Sequence, residues 1–123
     1  PADGRVVAIE LNEDLFKESS KIKDERLTVL HGDAIKISRD FYKLGLPPKV
    51  DAIISNIPAS FLKPPERVEL IDNTHKWLVG GGRFIIFQYS LLLLPSLKHV
   101  FKKVHYSLEL RNLPPYFVMI AEK

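Results

Sequence analysis

The chain has 123 residues, with 46% hydrophobic and 27% charged side chains, a balance that excludes a disordered or fibrous protein and sets the scale of one globular domain. It contains no cysteine, which excludes a disulfide framework, a thiolate metal site and a cysteine nucleophile. A formal charge of +3 is compatible with an anionic partner without requiring one, and the Leu91–Leu94 run is far shorter than the ~20 apolar residues of a membrane span.

In chain order, Pro1-Ala2-Asp3-Gly4 reads as a turn and Arg5–Glu10 as a short strand of branched apolar residues. Asn12 is placed to cap a helix whose first turn carries Glu13 and Asp14, with Leu15 and Ile22 sharing a face. Leu27–Leu30 is a second strand, followed by His31-Gly32-Asp33 and a helix or irregular turn over 34–43 that ends at Gly45-Leu46-Pro47-Pro48. Val50–Ser55 is a third strand, an apolar run suited to burial on both faces. Pro64 and Pro65 suit a helix N-terminus, and Val68, Ile71 and Leu78 continue that helix until Gly80-Gly81-Gly82 stops it. Arg83–Tyr89 is a strong strand. A leucine-rich segment, broken by Pro95, then leads into a helix through Phe101. The runs 104–110 and 116–121 form an antiparallel pair.

Strands alternating with helices predict an α/β fold, a mostly parallel doubly wound sheet in one domain over residues 1–123, with an antiparallel C-terminal edge. In such a sheet ligands bind beyond the carboxyl ends of the strands. The residues leaving the strands here are Glu10, then Gly32-Asp33-Ala34, then Ser55-Asn56-Ile57-Pro58, then Gln88-Tyr89-Ser90. An acid ending one strand and an aspartate after the next suit a nucleoside: one accepts from both ribose hydroxyls, the other from an adenine amino group. Taken singly, each also has a plain structural use, as a helix-flanking acid, a turn, or a strand end satisfying its own backbone. His31 and His75 are read as structural, and no carboxylates and histidines share metal-ligand spacing.

The segments "VVAIELNEDL", "LTVLHGDA" and "VDAIISNIP" together resemble, in order, the ribose-binding strand end, the adenine-binding Asp motif and the substrate-facing loop of the Rossmann-like S-adenosylmethionine-dependent methyltransferases. The resemblance implies a cofactor site of Glu10, Leu11, Asp33, Ala34 and Asn56, with S-adenosylmethionine as donor and no metal. It implies a catalytic loop of Asn56, Ile57 and Pro58, with Tyr89 beside it. Tyr89, Phe61 and Tyr116 are candidate rings for a cationic amine.

Within this class the Asn-Ile-Pro loop is similar to that of the ribosomal RNA adenine dimethylases, whose loop continues with a base-stacking aromatic where this chain has Ala59. "NIPASFLKPPE", "GGRFIIFQYS" and "RNLPP" resemble the phospholipid N-methyltransferases more closely. The implied activity is methyl transfer to an amine, first that of a phosphatidylethanolamine-type headgroup, with RNA adenine as the alternative and a non-catalytic interaction module as a third reading. The implied setting is cytoplasmic, at the membrane periphery.

The same resemblance implies a first strand, a glycine-rich loop and a helix ahead of the strand ending at Glu10, and these are missing. Gly80–Gly82 is no substitute, because it precedes a strand. The expectation is a truncated domain with open edges on the Arg5–Glu10 and Val50–Ser55 strands. The alternatives are direct pairing of those strands, or association of two chains through them.

Overall fold

The computed structural model describes residues 3–46 and 48–123 and forms two compact units, Pro1–Asp40 and Phe41–Lys123. The turns expected at Pro1–Gly4 and Gly45–Pro48 include Pro1, Ala2 and Pro47, which lie outside the described residues.

In the first unit β1 (Val6–Glu10) pairs in parallel with β2 (Leu27–His31), in a register that sets Glu10 opposite His31. Between them runs α1 (Glu13–Ser19). The Asn12 carboxamide oxygen accepts from the backbone N–H groups of Asp14 and Leu15, satisfying two of the donors a helix start leaves open. The helix is shorter than the spacing of Leu15 and Ile22 suggests: it ends before Ile22, and both side chains are exposed. α2 (Ala34–Arg39) follows β2, then a 3-10 turn, Phe41–Leu44, opens the second unit.

The second unit holds β3 (Val50–Ser55), α3 (Pro64–Trp77), β4 (Leu78–Gln88), α4 (Leu94–Val100), β5 (Lys103–Glu109) and β6 (Tyr116–Glu122). Its strand order is β3-β4-β6-β5: β3 and β4 are parallel, while β6 runs antiparallel to both β4 and β5. The mixed sheet with an antiparallel C-terminal edge is therefore as the sequence predicts. β1 belongs to the two-stranded sheet of the first unit and β3 to the four-stranded sheet of the second.

Gly80–Gly82 does not stop α3. The helix ends at Trp77, and β4 begins at once with Leu78, so the glycines lie inside the strand. The ladder to β3 jumps there, from Val50–Leu78 to Ala52–Arg83. Gly82 is required by close approach: a Cβ on it would sit 3.0 Å from the Val79 carbonyl oxygen and 3.1 Å from that of Asp51.

Alternation along β4 buries Phe84, Ile86 and Gln88 on one face, joined by Met119 and Ala121 of β6. Ile71 of α3, Leu93 ahead of α4, Leu97 of α4 and Phe101 after it complete this core.

At the C-terminus of α3, Lys49 donates to the Lys76 carbonyl, and Lys123 donates to the carbonyls of His75 and Leu78 at 2.7 and 2.9 Å, supplying cations where the helix dipole is negative. His75 packs edge-on against Phe101. Burial, then the Lys123 charge, lowers its pKa from the ordinary 6.5. The unfolded chain thus takes up a proton near pH 6.5 that the folded one resists, so this contribution to stability is present above pH 6.5 and is lost as the pH falls below it. Urea midpoints of the wild type and His75→Gln should converge between pH 7.5 and 5.5 (about one unit either side of the free imidazole value). Parallel pH dependences would contradict this.

Candidate functional site

β3 ends at Ser55, and its chain leaves the sheet as Asn56-Ile57-Pro58 before a 3-10 turn, Ala59–Phe61. Gln88, the last residue of β4 and 5% exposed, holds this loop through its side chain. Its carboxamide oxygen accepts from the Ala59 N–H at 2.9 Å, and its NH2 donates to the Ile57 carbonyl. Arg67 of α3 adds a third tie, Nε donating to the Ala59 carbonyl at 2.9 Å, and the Ser55 hydroxyl accepts from the Ile57 N–H at 3.3 Å.

Asn56, Phe87, Gln88, Tyr89 and Tyr116 line a cleft of about 420 Å³ at this end of the sheet. Phe87 meets Tyr116 edge-to-face, with ring centroids 5.7 Å apart. Asn56, Tyr89 and Tyr116 thus share one cleft. The loop residues Ile57 and Pro58 adjoin Asn56 but do not line the cleft, and the Ile57 carbonyl is already engaged by Gln88. Phe61 is 83% exposed and also outside the lining.

Three contributors are absent from the sequence reading: Gln88 and Arg67 as braces, and Phe87 as a wall. A signal for Gln88 was present, because it shares the parity of Phe84 and Ile86 in an apolar strand, and a buried carboxamide must find partners. Arg67 carries no comparable sequence signal. Ala59 is fully buried, so no base-stacking role is open at that position.

The remaining candidates lie in the first unit, at the carboxyl ends of its two parallel strands. Glu10 accepts from the Asn12 N–H at 2.8 Å, and its carbonyl accepts from the Gly32 N–H at 2.9 Å. Asp33 caps α2, one oxygen accepting from the Ile35 N–H at 2.8 Å and the Lys36 N–H at 3.3 Å. Each carboxylate offers about four acceptor positions, so these bonds leave capacity for a ligand. Gly32 has φ +150, and a Cβ there would meet the Ile37 side chain at 3.1 Å. That backbone carries the chain from β2 into the Asp33 cap. Leu11 is exposed and Ala34 starts α2. His31 is structural: its ring stacks on Phe16 at 5.0 Å, and its Nε2 lies 3.1 Å from the Leu11 carbonyl.

No helix among the described residues is long and apolar enough to cross a membrane.

Parallel strands joined by helices, with an antiparallel closing edge, form a Rossmann-like fold, the one found in solved methyltransferase structures. Human methyltransferase-like protein 13, in complex with S-adenosylhomocysteine, matches with a TM-score of 0.72 at 15% identity, over 95% of this chain and 60% of that one. An rRNA methylase from Streptococcus thermophilus matches with a TM-score of 0.65 at 23% identity, over 96% of this chain and 73% of that one. Spermidine synthase from Thermotoga maritima matches with a TM-score of 0.66 at 13% identity, over 97% and 44%. The chain thus spans less than two thirds of two of these proteins. At such identities the likeness establishes the fold. No family model matches the sequence, and no curated protein matches it.

Proposed function

We propose that this chain belongs to an S-adenosylmethionine-dependent N-methyltransferase, with the Asn56–Pro58 loop receiving the acceptor amine. The observation that carries this reading is the cleft, whose lining sets Asn56 of the loop beside Gln88 and the aromatic residues Phe87, Tyr89 and Tyr116. When bound, the cofactor supplies a methyl group on a sulfonium, so positive charge moves from sulfur to nitrogen during transfer. Such a reaction requires alignment and cation-stabilising surfaces more than a strong base.

The Asn56 backbone carbonyl and side-chain oxygen accept hydrogens of the neutral amine and aim its lone pair. The rings of Tyr89 and Tyr116 face the ammonium as it forms, and its proton leaves to water through the open cleft. Glu10 and Asp33 provide the acceptor set for the ribose hydroxyls and the adenine amino group, Leu11 an apolar surface beside the base, and Ala34 a backbone N–H.

The acceptor we propose is the primary amine of a phospholipid headgroup. Support comes from the three sequence segments that resemble lipid N-methyltransferases, and from the exposed Leu110 and Leu113 on the β5–β6 connection, which lies at the same end of the sheet as the cleft. Its partners would be a membrane surface and, at the edges of β1 and β3 that no strand among the described residues pairs, a further strand or a second copy. A second reading, an RNA adenine as acceptor, is favoured by Phe61, whose exposed ring is free to stack on a base.

Saturation-transfer NMR with S-adenosylhomocysteine tests the donor site. In the protein carrying this chain, the adenine and ribose protons should receive saturation, and Asp33→Ala should weaken binding about tenfold, the loss of one charged hydrogen bond. No saturation with the wild type would overturn the reading. Tritiated methyl transfer by the protein carrying this chain, offered phosphatidylethanolamine vesicles and ribosomal RNA side by side, then separates the two acceptors.

A further inference from the structure

We infer that Gln88 is the positioning residue of the acceptor loop, and that it selects which loop oxygens remain for a substrate. This rests on the reading of Asn56–Pro58 as the acceptor loop. Gln88 ends a strand whose neighbours on the same face, Phe84 and Ile86, are buried hydrocarbon, and at 5% exposure its carboxamide is almost wholly out of water. Both ends of that carboxamide are spent on one loop: the oxygen on the Ala59 N–H and the NH2 on the Ile57 carbonyl. These partners lie two residues apart, so the pair fixes the peptide planes on either side of Pro58, while Arg67 fixes the next carbonyl.

The consequence is chemical. The Ile57, Pro58 and Ala59 carbonyls each already accept a hydrogen bond, from Gln88, the Phe61 N–H and Arg67, so of the loop it is Asn56, at the cleft, that is best placed to meet a ligand. Gln88 itself also lines the cleft, so the residue that orients the loop forms part of the wall the acceptor meets. Only a side chain that donates and accepts at once meets both demands. Leucine meets neither, and glutamate meets both only when protonated.

The test is an NMR pH titration of the 123-residue chain as wild type, Gln88→Ala and Gln88→Glu. It reads the Asn56 side-chain amide and the Ile57 methyl, with the methyl groups of Ile86 and Met119 as core controls. The wild-type loop signals should not titrate. Those of Gln88→Glu should match the wild type at the acid end and move away as the carboxyl ionises against the Ile57 carbonyl, with a midpoint above that of a free glutamate because the charged form is buried. Gln88→Ala should be displaced at every pH while the core controls stay in place.

In the protein carrying this chain, Gln88→Ala should slow methyl transfer about 100-fold, the scale expected for a displacement of about 1 Å, with S-adenosylhomocysteine binding unchanged. Loop signals identical in all three proteins would overturn the inference, as would core controls that move as far as the loop. A Gln88→Ala that fails to fold leaves the Gln88→Glu titration to decide. Loop signals that behave as described, while the protein carrying this chain binds no S-adenosylhomocysteine, would instead count against the methyltransferase reading.

Discussion

Phe84→Ala should destabilise the second unit by about 3–5 kcal/mol, the usual cost of removing a buried phenyl ring and leaving its cavity. Phe84 sits in mid-β4 with no exposed surface; its strand partners are Ile53 on one side and Ala121 on the other. Its ring centroid is 6.3 Å from that of Phe101, and Ile71 and Leu97 belong to the same core. Elements from both edges of β4 and from the helical layer therefore meet at this side chain, and none can close the gap without breaking the strand register. Against a typical domain stability of about 5–15 kcal/mol, such a loss is a large share.

Trp77, the only tryptophan, is buried in this unit against Phe41 at 5.0 Å and reports its unfolding directly. Urea denaturation followed by its fluorescence gives the number. Val68→Ala, on the exposed side of α3, should change the midpoint by no more than about 0.5 kcal/mol and serves as the comparison. A loss below about 1 kcal/mol for Phe84→Ala would mean that the sheet and helices repack freely around the site.

Asn56→Ala should reduce methyl transfer by the protein carrying this chain about 100-fold while leaving its thermal midpoint close to wild type. Asn56 is exposed, and the loop is held by Gln88, Arg67 and Ser55, so the truncation removes an acceptor without removing a brace. The backbone carbonyl survives in the variant, which is why a remnant of activity is expected. Asn56→Asp keeps an acceptor oxygen and loses the amide donor, so it should fall between the two. Full activity in Asn56→Ala would remove this loop from the mechanism and shift attention to the aromatic wall. Initial rates at saturating donor, with the acceptor varied, distinguish misalignment, seen in kcat, from weakened acceptor binding, seen in KM.

Much of the architecture was legible because it follows from local rules. Branched apolar runs became β1, β2 and β3, Asn12 capped α1, and the absence of a helix between the last two runs became the antiparallel β5–β6 edge. The placement of the candidate residues follows the same rule. A chain that alternates strands and helices delivers its strand ends to loops, and Glu10, Asp33, Asn56 and Tyr89 are all found at or just past such ends.

Where the reading failed, a partner distant in sequence outweighed the local signal. Gly80–Gly82 looks like a helix stop, yet α3 already ends at Trp77 and the glycines serve a strand that must pass close to the Asp51 carbonyl. Leu15 and Ile22 have helical spacing, but the chain leaves the helix before the second can join its face. The braces of the Asn56 loop come from 31 residues away for Ile57 and Gln88, and from another element for Arg67.

The sequence by itself determined the order and type of the elements and which residues stand at their ends, because hydrophobic period, capping and turn chemistry act over a few neighbours. Only the tertiary structure decided how the strands divide between two sheets, which aromatic rings wall the cleft, and that the Ile57 carbonyl is already taken. Those outcomes depend on hydrogen-bond partners and packed faces brought together by folding, and no local pattern encodes them.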